Sequence, residues 1–274
     1  MTDLQQKLLA ILAYFHDFCQ KENLRYYVIG GTFLGAVRHQ GFIPWDDDID
    51  VAMPRADYER LMSLFAKRQQ KEQRYLLETI DSDAPDFLYM CAKLYDTETT
   101  LTELRKIPCR RGIFLDIFPL DGLGDSLAEA RSRFTKIDRW HMFLATRFCA
   151  VESRRKWYKN IAILLANLIP SAIVNNKELA RKVDRLSRAK DFDSSSYVCN
   201  CFSTYRKREI MPKTLLGKPT PYQFEGIIVQ GPEHADAYLS HIFGDWKTLP
   251  PKEKQVSHHQ FMEFDLNKSW LAGK

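Results

Sequence analysis

The chain has 274 residues, 45% hydrophobic and 27% charged, and its 40 Lys+Arg against 35 Asp+Glu leave a formal charge of +5. Such a composition excludes a disordered tail, a collagen-like repeat and a miniprotein held by disulfides. A chain of this length buries roughly three quarters of its unfolded surface, enough for one large domain or two small ones without staples.

Leu4, Leu8, Ile11, Leu12, Phe15 and Phe18 recur at helical spacing and predict an amphipathic helix over 3–22. The start lacks the basic residues and apolar core of a signal peptide. Tyr26–Ile29 reads as a short buried strand broken by Gly30-Gly31. Thr32 is expected to cap a helix from Phe33 to His39, closed by Gly41. Asp48-Ile49-Asp50-Val51 alternates as a strand does, and a helix near 55–67 follows. Further strands are expected at 75–80, 88–95 and 113–118, the last ended by Pro119. Three helices, split near Val151 and Pro170, fill 125–190. Short strands around 222–229 and a helix at 233–243 precede an irregular end. The fold class is α+β, a mixed sheet flanked by helices with a mainly helical insertion. The expected divisions are a catalytic core at 1–124, a helical region at 125–215, and a segment at 216–274 packing back on the core.

The longest apolar run, Ile161 to Val174, is interrupted by Asn167, Pro170 and Ser171, too short and broken to span a bilayer. A soluble protein is expected. Six cysteines without C-x-x-C or zinc-ribbon spacing read as idle thiols in a reducing compartment.

Four carboxylates fall within Asp46-Asp47-Asp48-Ile49-Asp50. Two unit charges about 5 Å apart repel by roughly 3 kcal/mol at an effective dielectric near 20, so such a run needs open solvent or cations. The apolar neighbours Ile49, Val51 and Met53 argue against open solvent. On a strand, Asp48 and Asp50 point the same way, fit to hold a hard cation such as Mg²⁺. Asp46 and Asp47 are expected as loop or cap residues. The spacing fails the calcium-loop pattern, with Val51 where glycine is needed and Asp57 where glutamate is needed. Asp116 lies inside an apolar strand. It pairs with Arg110 or Arg111, or it faces the same cation as Asp48 and Asp50, an arrangement used in phosphoryl transfer. Gly30-Gly31-Thr32, a strand-to-helix turn, adds backbone N–H groups that attract phosphate.

The run Gly-Gly-Thr-Phe-Leu-Gly-Ala-Val-Arg-His-Gln-Gly-Phe-Ile-Pro-Trp-Asp-Asp-Asp-Ile-Asp at 30–50 resembles the signature of the LicD family, bacterial phosphocholine transferases with a nucleotidyltransferase-type fold. Gly112-Ile-Phe-Leu-Asp116-Ile-Phe-Pro-Leu-Asp121-Gly122 and Phe243-Gly-Asp245-Trp246-Lys-Thr-Leu-Pro-Pro251, with Lys254 and His258, are similar to the family as well. Residues 125–215 carry little of the likeness. The resemblance implies phosphates at Gly30, Gly31 and Thr32, and Mg²⁺ or Mn²⁺ on Asp48, Asp50 and Asp116. It implies a donor, CDP-choline, whose phosphocholine passes to a hydroxyl of a cell-surface glycan with loss of CMP, Asp116 accepting the proton. It implies as acceptor a lipid-linked precursor of lipopolysaccharide or teichoic acid, and a cytoplasmic protein that could sit peripherally at the inner face of the cell membrane.

Arg38, His39 and Lys93 are either phosphate contacts or ordinary surface charge. Trp45 either stacks on the nucleobase or choline or belongs to the core. His258 has a place only in the family pattern. Segment 131–160 holds nine basic residues opposed by Asp138 and Glu152, and reads as a solvated helical face or as a contact with an anionic membrane. No nucleic-acid motif accompanies it. Two alternatives stand beside phosphocholine transfer: another phospho- or nucleotidyl group on the same scaffold, or a non-catalytic subunit that binds glycan or nucleotide.

Overall fold

The computed structural model of the chain describes residues 1–68, 74–84, 87–103, 109–149, 151, 156–170, 173–257 and 261–272. Helix α1 (Asp3–Lys21) opens on a capping box in which Thr2 Oγ1 accepts the Gln5 N–H and the Gln5 side chain accepts the Thr2 N–H. Then come β1 (Tyr27–Val28), α2 (Gly30–His39), β2 (Asp50–Pro54) and α3 (Arg55–Arg68). Strands β3 (Tyr75–Glu78), β4 (Ala92–Asp96), β5 (Thr100–Glu103), β6 (Cys109–Arg111) and β7 (Phe114–Gly124) follow. Three helices come next, α4 (Leu127–Phe148), α5 (Trp157–Leu168) and α6 (Asn176–Ser187), broken where Val151 and Pro170 predict. Strands β8 (Tyr197–Cys199) and β9 (Met211–Pro212) and the single-turn α7 (Lys213–Leu216) lead to the hairpin β10 (Thr220–Phe224) and β11 (Ile227–Gly231). Helix α8 (Ala235–Phe243) and β12 (Phe261–Asp265) end the order.

The main sheet runs β1-β2-β7-β4-β3, with β8 on the far end of β7 and β9 beyond it. Among the described residues of this sheet only β2 and β7 pair in parallel; the other pairs are antiparallel. The chain is therefore α+β, a mixed sheet flanked by helices, as expected. One core packs Leu8, Ile11, Leu12 and Phe15 of α1 with Val51 of β2 and Leu115 and Ile117 of β7. A second gathers Leu123, Phe134, Ile137, Leu179, Val183 and Cys199 around the helical region. All six cysteines are free.

Several expectations need correction. Pro119 does not end its strand; β7 runs through it to Gly124. The Asp116 N–H donates to Ile49 O of the β2 side at 3.0 Å, so the period of two puts position 119 toward the opposite edge. There the β4 pairing ends at Ala92–Ile117, the β8 pairing starts at Cys199–Asp121, and no ladder bond needs the missing N–H. Thr32 is not an N-cap. Helix α2 begins at Gly30, and the Thr32 hydroxyl accepts the Asp50 N–H at 2.9 Å, tying the helix to β2. Gln40, with φ 54°, closes α2 in place of Gly41. The sequence reading also missed β8 and β9, and a separate three-stranded sheet in the order β12-β5-β6.

Candidate active site

Register brings the charges together. The parallel pairing sets Asp50 of β2 opposite Asp116 of β7, and the antiparallel pairing sets Lys93 of β4 opposite Asp116 on its other side. Lys93 Nζ lies 2.7 Å from Asp116 Oδ1 and is almost wholly buried, 3.3 Å from the ring centre of Phe114 and 4.4 Å from that of Tyr89. A buried ammonium without a counter-ion would be expelled or neutralised, so the pair is mutually required. Cys91 Sγ lies 3.7 Å from the same oxygen. The expected partners of Asp116, Arg110 and Arg111, are engaged elsewhere. Arg111 pairs with Glu78 at 2.8 Å and Arg110 with Glu263 at 3.1 Å, because both arginines sit on β6 of the separate sheet.

Asp50 lies partly buried, and its carboxyl is pushed well up by burial and then by Asp48, Asp116 and Asp46, with Lys93 opposing. Asp48 is not on β2 but in the extended lead-in to it. Among the described residues, one group of three acids, Asp46, Asp47 and Asp48, offers carboxylate oxygens within 4.8 Å of one another. Asp46 is pushed up to about 8 by burial, by the charge of Asp48 and by a hydrogen bond with it. Asp46 and Asp47 are loop residues as expected, yet they belong to the acid cluster. Gln5 of α1 donates to Asp46 O at 3.1 Å, and the Ser257 hydroxyl donates to Asp47.

The N-terminus of α2 abuts the cluster. Gly30 has φ +53°, and a Cβ there would stand 3.7 Å from Asp50 Oδ2. A Cβ on Gly31 would stand 2.9 Å from Asp46 Oδ2. The partial positive charge of a helix N-terminus favours such carboxylates and equally favours phosphate. Tyr205 packs against Gly30 from the helical side, its hydroxyl pushed up by burial and by Asp50. No motif marked Tyr205, because 155 residues separate it from Asp50 in sequence.

The other candidates are placed differently. Arg38 and His39 sit at the far end of α2, about 12 Å along its axis from Gly30. Arg38 Nη1 donates to Trp246 O at 3.1 Å and Nε to His39 Nε2 at 3.0 Å, so two family-like stretches meet there, away from the acids. Burial lowers both groups. Trp45 is half-buried against the main core. Lys93 is the counter-ion of Asp116. His258 lies outside the described residues.

A cavity of about 760 Å³, walled by Tyr58, Met62, Leu77, Asp184, Tyr89 and Cys91, adjoins the Lys93–Asp116 pair through the last two. The donor set suits a hard divalent ion. It is all carboxylate oxygen, and the burial and mutual repulsion that push Asp46 and Asp50 up are what such an ion offsets.

A strand, a Gly-Gly turn into a helix, an acid loop entering the next strand and an acid on the parallel neighbour thus meet in one place. Residues 23–123 match the family model of the LicD/FKTN/FKRP nucleotidyltransferase domain, the likeness that segment 30–50 led us to expect. The likeness extends further. Over 269 residues the chain is 29% identical to the lipopolysaccharide cholinephosphotransferase LicD of Haemophilus influenzae, covering 94% of this chain and 96% of that protein. Local matches join it to uncharacterized proteins of Rickettsia prowazekii, 42% identical over 55 residues, and Rickettsia typhi, 50% identical over 42. These cover 20% and 15% of this chain, and 21% and 14% of the rickettsial proteins. Among the described residues no helix is long and apolar enough to cross a membrane.

Proposed function

We propose that the chain transfers phosphocholine from CDP-choline to a hydroxyl of a lipopolysaccharide precursor and releases CMP. The observation that carries the reading is the register of Asp50 against Asp116 beside the Gly30-Gly31 turn, within a chain similar along nearly its whole length to a lipopolysaccharide cholinephosphotransferase. Asp46, Asp47, Asp48 and Asp50 are the residues that would hold Mg²⁺ or Mn²⁺, with Asp116 beside them. When bound, the ion neutralises charge on the donor phosphates. The Gly31 and Thr32 end of α2 orients the pyrophosphate by its N–H groups. The acceptor oxygen attacks the phosphocholine phosphorus, a new O–P bond forms, and the O–P bond to CMP breaks. Lys93 pairs with Asp116 at 2.7 Å and fixes its carboxylate beside the acid cluster. The acceptor hydroxyl's proton passes to Asp116, the carboxylate beside the cluster that is not given to the metal.

The full chain with Mg²⁺, CDP-choline and a lipopolysaccharide oligosaccharide is expected to release CMP and to yield a glycan heavier by one phosphocholine. Asp48→Asn is expected to lower that rate by at least about 100-fold. Consumption of CDP-ribitol or a nucleoside triphosphate in place of CDP-choline would overturn the donor assignment. No turnover of any of them would overturn the transferase and favour the binding subunit.

A further inference from the structure

Helix α5 is amphipathic with its large side chains on the wrong side for a protein core. Only Ile163 and Ala166 are buried, while Trp157, Tyr158, Ile161, Leu164, Leu165 and Leu168 are exposed. These six lie at steps of 1, 4, 7, 8 and 11 from the first, one stripe of a 3.6-residue helix. Trp157 is 73% exposed and Leu168 75%. A soluble surface rarely carries a contiguous apolar face of this size unless something covers it.

Charge says what covers it. From 153 to 177 the sequence has no Asp or Glu, whereas Lys156 and Lys159 are exposed at the start of the helix and Lys177 follows its end. A second protein face would need to be both apolar and acidic, while an anionic bilayer supplies both by composition. Trp157 and Tyr158 stand together at the Lys-rich end, the combination that settles at the headgroup level. Twelve residues span about 18 Å, short of the roughly 30 Å hydrocarbon core, so the helix fits lying in the interface and not crossing it.

The mounting is firm. Arg147, counted above with the basic segment, is in fact buried. It donates from Nη1 to Ala166 O at 2.7 Å and Ile169 O at 3.1 Å, from Nη2 to Val174 O at 3.3 Å, and from Nε to Asn176 Oδ1. Carbonyls that would otherwise dangle at the end of α5 are thereby satisfied, and the helix is clamped to α4 with its apolar face outward.

We propose that α5 is an interfacial anchor that lays its Trp157–Leu168 face into the headgroup region of an anionic bilayer. The anchor stands whatever group the acid cluster transfers. The test is sedimentation of the full chain with vesicles of phosphatidylglycerol and phosphatidylcholine, against phosphatidylcholine alone. Binding is expected to the anionic vesicles, to weaken with salt, and to fall at least about tenfold in a Leu164→Glu/Leu168→Glu variant. Lys156→Glu/Lys159→Glu is expected to abolish the preference for anionic lipid. Because a double variant can misfold, quenching of tryptophan fluorescence by brominated acyl chains gives a second reading. It is expected in the wild type and largely lost in Trp157→Phe, a change that keeps an apolar aromatic ring at the position. No binding to anionic vesicles, or unchanged binding after the leucine substitutions, would overturn the anchor. So would a dimer in light scattering that the same substitutions dissociate, which assigns the face to a second copy.

Discussion

Asp50 and Asp116 stand side by side and answer to different neighbours. Asp116 has the buried ammonium of Lys93 at 2.7 Å, whereas Asp50 is surrounded by Asp46, Asp48 and Asp116, with Lys93 opposing them. Removing their charges should therefore act on stability in opposite directions. Asp50→Asn keeps the shape and takes one negative charge from a crowded site, so the metal-free protein should melt higher. Asp116→Asn leaves Lys93 buried and uncompensated, and the loss should be about 3 kcal/mol. Both should lower phosphocholine transfer by at least about 100-fold. Melting in EDTA and after Mg²⁺ addition checks this: Mg²⁺ should raise the wild type and do much less for Asp50→Asn. If Asp50→Asn melted lower in EDTA, the acids are not in mutual repulsion.

Two of the three glycines of helix α2, Gly31 and Gly35, do different jobs. A Cβ on Gly35 would fall 2.4 Å from the backbone carbonyl of Gly41, which cannot swing away. A Cβ on Gly31 would meet only the terminal Asp46 Oδ2 at 2.9 Å, the free end of a side chain. Gly35→Ala should thus destabilise the fold, by about 1–3 kcal/mol as overpacking does. Gly31→Ala should leave the melting temperature unchanged or slightly higher, since alanine is the better helix former by about 1 kcal/mol. Yet it should lower activity at least about tenfold by displacing Asp46. Comparing melts with CMP release separates the two roles, and an unimpaired Gly31→Ala enzyme would remove Asp46 from the working site. What could be read in advance followed the same division between local and distant. The Gly-Gly turn, the acid run and the two breaks of 125–190 are local patterns, and they are legible apart from the start of α2 and the place of Asp48. Lys93 as the partner of Asp116 depends on a strand register that no single stretch encodes. The extension of β7 past Pro119 depends on a gap between β4 and β8. The sheet β12-β5-β6 joins Thr100 to Asp265, too far apart for any periodicity to reveal.

Two of the polar junctions between the acid-bearing sheet and the helical region show how the molecule holds the site. At one, Arg55 at the start of α3 grips Asp121 of β7 with two bonds of 2.7 and 2.8 Å and reaches Asp184 of α6 at 3.0 Å. Asp121 belongs to the family-like stretch 112–122, and this structural grip is its role here. At the other, the 3₁₀ turn Arg206–Glu209 follows Tyr205 at Gly30, holds Asp138 of α4 through Arg206 at 3.0 Å, and leads to Ile210, whose carbonyl meets His241 of α8 at 3.1 Å. Glu209 is buried at this second junction, and burial pushes its carboxyl up to about 7 against a usual 4.5, with a hydrogen bond from Ser203 opposing. The sign of its pH effect follows. Between about 4.5 and 7 the folded chain keeps a proton that the unfolded chain has released, so stability falls as pH rises through that window and levels above it. The full effect is on the order of 3 kcal/mol. Glu209→Gln keeps the neutral shape at every pH and should flatten the slope. Melting temperatures of both proteins from pH 4.5 to 8, in EDTA, give the difference directly, since Asp46 and Asp50 titrate alike in each. Parallel curves would show that Glu209 is ionised in the folded chain, and that the junction stabilises its charge in place of excluding it.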